Sequence, residues 1–190
     1  RAELLRPLLR DEARTVRVEA VAALLGVDAR QWSRRDQEAL KSATTEYLQA
    51  RAFNADRGDG LVDLAHVAAL AGDAKHAEEN LREALDIDPT FTAAYVNLAD
   101  LYRETNREEQ AMQLLKQAID ADLNQGVIYF AYGLALVRNN QVPEALAALK
   151  HAAELTPEDP QLAYTYGIAL NSTGQPDRAL QVLADNLAQH

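Results

Sequence analysis

The chain has 190 residues, 48% of them apolar, enough for a packed body that needs no covalent staples. It contains no cysteine, which excludes disulfides, thiolate zinc sites, iron–sulfur ligation, a Cys nucleophile and covalent haem attachment within this stretch. Nineteen Lys and Arg against 29 Asp and Glu leave a net charge of −10, a sign unsuited to nucleic-acid phosphates or an anionic membrane, so the expected partner is a protein. Alanine and leucine make up about a third of the chain while Gly and Pro number only eight and six, a composition that predicts an almost wholly α-helical fold. No apolar run approaches the roughly 20 residues of a membrane span, and no signal-peptide pattern is present. The sequence opens at Arg1 within an amphipathic pattern and reads as a segment cut from something longer, whose export signals would lie upstream.

The first stretch, residues 1–26, carries Leu4, Leu5, Leu8 and Leu9, then Arg10-Asp11, then Val16, Arg17, Ala20, Ala23 and Leu24. Leu-Leu-x-Asp followed by Val-Arg and an Ala/Leu helix resembles a HEAT-like helical repeat. A lone copy cannot bury its own face, which implies that it is the last of an upstream array. Residues 27–57 follow as a bridge. Ser33 with Asp36 forms a capping-box-like start, and the spacing predicts a helix over about 34–53 with Ala39, Leu40, Ala43, Tyr47 and Leu48 facing inward.

From residue 58 onward, residue types recur every 34 positions. Small residues stand at Ala65, Ala99, Gly133 and Gly167, each after a large one at Leu64, Leu98, Tyr132 and Tyr166. Ala77, Ala111, Ala145 and Ala179 align, as do Leu81, Leu115, Leu149 and Leu183, and then Ala84, Ala118 and Ala152, with Asn186 breaking the last column. The physical reading is one pair of antiparallel helices per unit, with Ala or Gly where backbones approach too closely for a longer side chain. Turns are predicted at Gly72-Asp73, Asn106, Asn139-Asn140 and Gly174, while Pro143 and Pro176 fall in the first turns of the helices that follow.

The pattern large-x-x-large-small-x-x-large, then Ala-x-x-x-large, then Pro resembles the tetratricopeptide repeat. Tyr95, Leu98, Ala99, Tyr102, Ala111 and Leu115 match its signature in one unit, and Tyr129, Gly133, Leu136, Ala145, Leu149 and Pro157 match in the next. Leu123 stands where the family has Pro, and the usual Trp is missing. Four units are assigned, 58–91, 92–125, 126–159 and 160–190; a step back by 34 keeps Ala43, Tyr47 and Ala50 but puts Gln31 in the small column, so a fifth is at most half present. The resemblance implies an all-α, right-handed solenoid of antiparallel helix pairs, in which first helices line a groove for a partner's peptide or helix.

The groove positions that the family pattern implies are Val62, His66 and Ala69 in the first unit, then Val96, Asn97, Asp100 and Arg103. The third and fourth units contribute Val127, Phe130, Leu134 and Val137, then Tyr164, Thr165, Ile168 and Asn171. This lining is polar early and apolar late. The family's clamp for acidic chaperone tails needs Lys and Asn, then Asn, then Lys and Arg. Here those places read Val62 and His66, Asn97, and Val127 and Ala131, so only Asn97 survives and that use is not expected. The expected occupant is an apolar or amphipathic protein segment along Phe130, Leu134, Tyr164 and Ile168, with Asn97 available to pin its backbone. The alternative is that these residues pack against neighbouring helices or a later repeat.

Residues 1–57 carry 11 basic and 9 acidic side chains, residues 58–190 carry 8 and 20. The acidic part either steers a basic partner to the groove or serves as a solubility surface. His66 follows Asp63 and His76 precedes Glu79 at helical spacing, pairs that read either as the start of a metal site or as solvated ion pairs without a third ligand. His151 borders an Ala column and His190 ends the sequence. Ser33, Ser42 and Ser172 lack nucleophile-elbow glycines, and Glu78-Glu79 and Glu108-Glu109 sit in first helical turns, where the dipole favours them. No enzymatic role, catalytic site, metal or cofactor is expected in this segment.

The order of HEAT-like repeat, then Tyr47-Leu48 and Arg51-Ala52-Phe53-Asn54-Ala55-Asp56-Arg57, then tetratricopeptide units resembles the C-terminal part of bacterial proteins that begin with a multihaem cytochrome c domain. That resemblance implies an exported, periplasmic setting and a docking role beside electron transfer; without it a cytoplasmic setting is the expectation. A further alternative is oligomerisation, because the last helix presents Leu180, Leu183 and Leu187 with no polar capping helix after it.

Overall fold

Helices account for most of the described chain. The computed structural model describes residues 2–52, 58–70 and 72–189, which pack as two compact units, Arg1–Pro89 and Thr90–His190. Phe53 to Arg57, the end of the bridging motif, and His190 lie outside the described residues. No strand occurs among the described residues, and no helix there is long and apolar enough to cross a membrane.

The first unit opens with a short helix α1 (Ala2–Leu5) that tightens into a 3-10 helix (Arg6–Arg10) where Pro7 enters, followed by α2 (Arg14–Leu24) and α3 (Arg34–Ala52). Leu9, Ala20, Val21, Leu24, Ala43, Tyr47 and Val67 form its buried cluster, with Ala39, Leu40 and Leu48 packed against it. That is the face of α3 the spacing predicts, whereas Leu4 is left 80% exposed. Ser33 caps α3: its hydroxyl accepts the Asp36 backbone N–H at 3.2 Å and donates to the Asp36 carboxylate at 2.8 Å. The Ser33 hydroxyl and the Arg10 guanidinium together hold the Asp36 carboxyl below the ordinary carboxylate range. The unit closes with the hairpin α4 (Gly58–Leu70) and α5 (Ala74–Ile87).

The second unit comprises three hairpins: α6 (Thr92–Glu104) with α7 (Glu108–Asp120), α8 (Gly126–Arg138) with α9 (Val142–Leu155), and α10 (Pro160–Ser172) with α11 (Pro176–Gln189). Short turns make the members of each hairpin antiparallel neighbours. Pro143 and Pro176 sit in first turns as expected, and Pro160 opens α10 in the same way.

One backbone device ends the first helix of every hairpin. Gly72, Asn106, Asn140 and Gly174 have φ of +78°, +58°, +60° and +78°. The next residue of each, Asp73, Arg107, Gln141 and Gln175, donates its N–H five residues back, to Ala68, Tyr102, Leu136 and Leu170 at 2.7–2.9 Å. This is the left-handed helix stop that satisfies otherwise orphaned carbonyls, and it recurs at the period of the sequence.

The missing proline has a physical consequence. Asp88 and Thr156 precede Pro89 and Pro157 and leave the helical region, φ −133° and −134°, because a following proline disfavours helical backbone. Asp122, ahead of Leu123, instead turns left-handed at φ +62°, and the Leu123 N–H, which a proline would lack, reaches the Ala118 carbonyl at 3.1 Å.

The small columns are steric. A Cβ on Gly133 would lie 2.8 Å from two side-chain carbons of Leu149, and one on Gly167 would lie 3.1 Å from Leu183. Ala77, Ala84, Ala111, Ala118, Ala145 and Ala152 are buried, as are Leu81, Leu115 and Leu149. Gly126 adds a restriction that the spacing does not announce: a Cβ there would meet the Thr156 hydroxyl at 2.1 Å, because α8 starts against the end of α9.

Candidate functional site

The candidate site lies in the second unit, on first helices. A cleft of about 210 Å³ opens along α6 and α8 above α7. Ala99, Ala111 and Leu115, all buried, supply its depth, and Val96, Val127, Phe130, Ala131 and Leu134 supply its apolar sides. Ala99 and Ala111 are small-column residues, so the truncated side chains that let helices approach also leave the hollow between them. An apolar cavity of roughly 150 Å³ accommodates a benzene ring, so this cleft has room for one large apolar side chain.

Apolar surface extends beyond the cleft. Val127, Val137, Tyr164 and Ile168 are 43%, 47%, 57% and 50% exposed. Phe130 joins the two regions: it lines the cleft and packs against the cluster of Leu149, Tyr166, Leu170 and Ala179, which belongs to α9, α10 and α11. Phe130 therefore combines the two roles that the sequence left open, while Tyr164 and Ile168 stand in solvent.

The polar groups at the cleft are paired among themselves. Arg138 places Nε and Nη2 at 2.9 and 2.8 Å from Glu108 Oε1, and Arg103 reaches Asp100 at 3.1 Å and Glu104 at 3.2 Å. Hydrogen bonding to Asp100 raises the pKa of Arg103 above its already high ordinary value. Asn97 donates from Nδ2 to the Ala93 carbonyl at 2.8 Å, and Thr165 donates to the Gln161 carbonyl at 2.8 Å, each within its own helix.

Of the residues assigned to the groove from the sequence, Val96, Asp100, Val127, Phe130 and Leu134 line the cleft. Asn97 and Arg103 are exposed on α6, Val137 on α8, and Tyr164, Ile168 and Asn171 on α10, with Thr165 half-buried. Val62 and His66 belong to the first unit, where Val62 is half-buried and His66 exposed. Sequence reasoning passed over Arg138 and its partner Glu108, 30 residues apart on different hairpins, for which no local spacing gives a signal.

The remaining histidines take structural positions. His76 pairs with Asp73 at 2.5 Å, in place of the Glu79 contact suggested by spacing, because Asp73 caps α5 and accepts the His76 backbone N–H as well at 3.2 Å. Those two bonds, the backbone one first, hold the Asp73 carboxyl below its ordinary range. Lys75 takes Glu79 at 3.5 Å. His151 meets Tyr129 edge-on at 4.4 Å and Asn124 at 3.3 Å, tying α9 to α8 and to the turn before it. Among the described residues no group of three or more His, Asp or Glu could hold a metal ion.

The first unit has a wider hollow, about 980 Å³, lined by α2, α3, α4 and the turn between α2 and α3. Part of its polar lining serves that turn: Gln37 Nε2 lies 3.1–3.3 Å from the Ala29, Arg30 and Trp32 carbonyls, and Arg30 grips Asp28 at 2.7 and 2.9 Å, lowering that carboxyl to about 2.

Repeated hairpins, small-column seams and a groove on first helices define a class of helical repeat scaffold. Residues 68–129 and 136–190 match the tetratricopeptide repeat model, and the chain belongs to that family. A crystal structure of MamA is similar, with a TM-score of 0.62 at 19% identity over 82% of this chain and 94% of that one. MamA residues 41 to the end from Desulfovibrio magneticus RS-1 give 0.59 at 17% identity over 98% and 93%. TTC0263, a thermophilic repeat protein of the same family from Thermus thermophilus, gives 0.60 at 21% identity over 93% and 91%. At these identities the likeness is one of fold. No curated protein matches the chain.

Proposed function

We propose that the second unit is a protein-interaction scaffold that grips an apolar segment of a partner protein along α6, α8 and α10. The observation that carries this reading is the juxtaposition of the 210 Å³ apolar cleft with Val127, Val137, Tyr164 and Ile168, which stay 43–57% exposed on first helices while the hairpin seams bury their own large residues. Exposed apolar surface of this kind is commonly an interface, and covering the exposed half of an Ile side chain is worth about 1 kcal/mol.

A displayed library of random peptides, selected on the whole chain, tests it. Selected peptides should lose about tenfold or more in affinity on the double variant Val137→Ser with Ile168→Ser, whose melting temperature should stay unchanged because both side chains are solvent-facing. Tyr164→Ala should act in the same direction. Phe130→Ala alone is ambiguous, since Phe130 also packs inside. Peptides that bind the double variant as well as the parent would defeat the reading.

A second reading has its own observation. On α11, Leu180 and Leu187 are 67% and 79% exposed, and a second copy of the chain would cover them. Light scattering should then show association that Leu180→Glu abolishes, and a monomer at high concentration would remove this reading.

A further inference from the structure

We infer that the hollow in the first unit is a binding site for a small amphipathic carboxylate, an organic acid with a medium-length aliphatic chain, whose tail lies on the apolar floor and whose head meets Lys41. The site is separate from the groove on the second unit and does not depend on it. At about 980 Å³, against about 210 Å³ for that cleft, the hollow falls in the range of roughly 300–1,000 Å³ that small-molecule sites occupy. Small residues keep it open. Gly26, Ala29, Ala69 and Gly72 line it, and a Cβ on Gly72 would meet nothing within 4 Å. Both glycines are left-handed at φ +78°, a conformation that side chains rarely tolerate, so the turns after α2 and α4 themselves hold this space clear.

The floor reaches the core. Val21, Leu24 and Val67, 1–3% exposed, belong to the buried cluster of the unit, and Leu25 and Leu40 pack against it. Val27 and Leu70 bring apolar surface to the rim, at 37% and 41% exposed. Such a surface suits a hydrocarbon chain better than ordered water, which needs two or more polar partners at each position. The charged groups of the lining are Asp28, Arg30, Lys41 and Asp73, and three of them are offset. Arg30 holds Asp28 in hydrogen bonds at 2.7 and 2.9 Å. Asp73 caps α5, where the His76 backbone N–H and the helix dipole favour its charge. The Lys41 ammonium forms no ion pair or hydrogen bond among the described residues, and the Thr44 hydroxyl three residues on forms no hydrogen bond there. Lys41 and Thr44 share one face of α3. A carboxylate head between them gains an ion pair and a hydroxyl donor, whereas an ammonium head meets Lys41 as a like charge.

Calorimetric titration of the whole chain with decanoate, kept below its micellar concentration, tests the inference. Decanoate should bind saturably at one site per chain, and decylammonium should bind more weakly. Lys41→Gln breaks no contact among the described residues, so its effect is free of folding; it should weaken decanoate about three- to fivefold and narrow the gap between the two ligands. The rim variant Val27→Ser with Leu70→Ser should weaken both ligands by about tenfold. Val137→Ser with Ile168→Ser, on the second unit, should change neither. Absence of saturable decanoate binding, or binding that the Lys41 and rim variants both leave intact, overturns the site. Binding lost on the second-unit variant puts the acid in the other cleft and overturns it equally. Decylammonium binding as tightly as decanoate, or decanoate indifferent to Lys41→Gln alone, overturns the carboxylate head.

Discussion

The N-terminal part of the first unit and the whole of the second are both stacks of helices with apolar cores, yet their helix joints are supplemented differently. In the second unit the joints are small-residue seams repeated at one spacing, such as Gly133 against Leu149 and Gly167 against Leu183. Between α2 and α3 a buried apolar cluster is supplemented by long charged side chains. Arg17 contacts both oxygens of Glu46, at 2.8–3.3 Å, and donates to the carbonyls of Asp11 and Glu12 at 2.7 and 2.9 Å. Arg10 reaches Asp36, and Arg6 lies over the Trp32 ring, 5.1 Å from its centre. A seam built on shape is readable from spacing, whereas a clamp built on a folded-back arginine is set by tertiary position.

Cutting the seam should have the largest effect. Leu149→Ala removes a side chain only 1% exposed and should cost about 2–5 kcal/mol, read as a shifted denaturation midpoint of the second unit. An unchanged midpoint would mean that shape does not hold these hairpins together. Next comes the clamp: Arg17→Ala strands part-buried Glu46 and frees two carbonyls, so a loss of about 1–3 kcal/mol is expected. Arg34→Ala, which breaks only the exposed i,i+4 pair with Glu38, should stay within about 0.5 kcal/mol, and equal losses would erase the distinction between clamp and surface pair.

Gly133→Ala sharpens the seam argument at higher resolution. Overpacking against Leu149 at 2.8 Å should cost about 1–3 kcal/mol, partly offset by up to about 1 kcal/mol of helix propensity. Gly167→Ala, with 3.1 Å to Leu183, should lose less, and reversal of that order would contradict the geometry. The smallest effect is electrostatic and belongs to the first unit. The Asp73 carboxyl titrates below its ordinary range when folded, so its contribution is present above the unfolded value and disappears as pH falls through the folded one. Acid titration of Asp73→Asn should therefore show a shallower loss of stability than the parent below about pH 4.

Repetition explains what was legible. Four copies of a column at Ala65, Ala99, Gly133 and Gly167 outvote any one ambiguous position, so helices, turns and seams all emerge from spacing. Asp122 shows the limit from the other side: its left-handed turn becomes intelligible once Leu123 is seen to supply the N–H that the proline-bearing copies lack. For the groove, the identity of first-helix positions could be carried over, but whether a side chain is open or engaged could not. Asn97 reads in sequence as available to pin a partner's backbone and in the structure bonds Ala93, and Phe130, left open in sequence between groove and packing, does both. The Arg138 and Glu108 pair belongs to no periodic column at all.

The recurrence of one left-handed stop at residues 72, 106, 140 and 174 also bears on how such a chain can change over time. Excising residues 107–140 would splice Asn106 directly to Gln141, the same junction that Asn140 already makes, and duplication of that block would do the reverse. Insertions and losses in whole 34-residue blocks thus preserve every helix boundary, leaving the length of the apolar trough as a quantity that recombination can adjust without inventing a new turn.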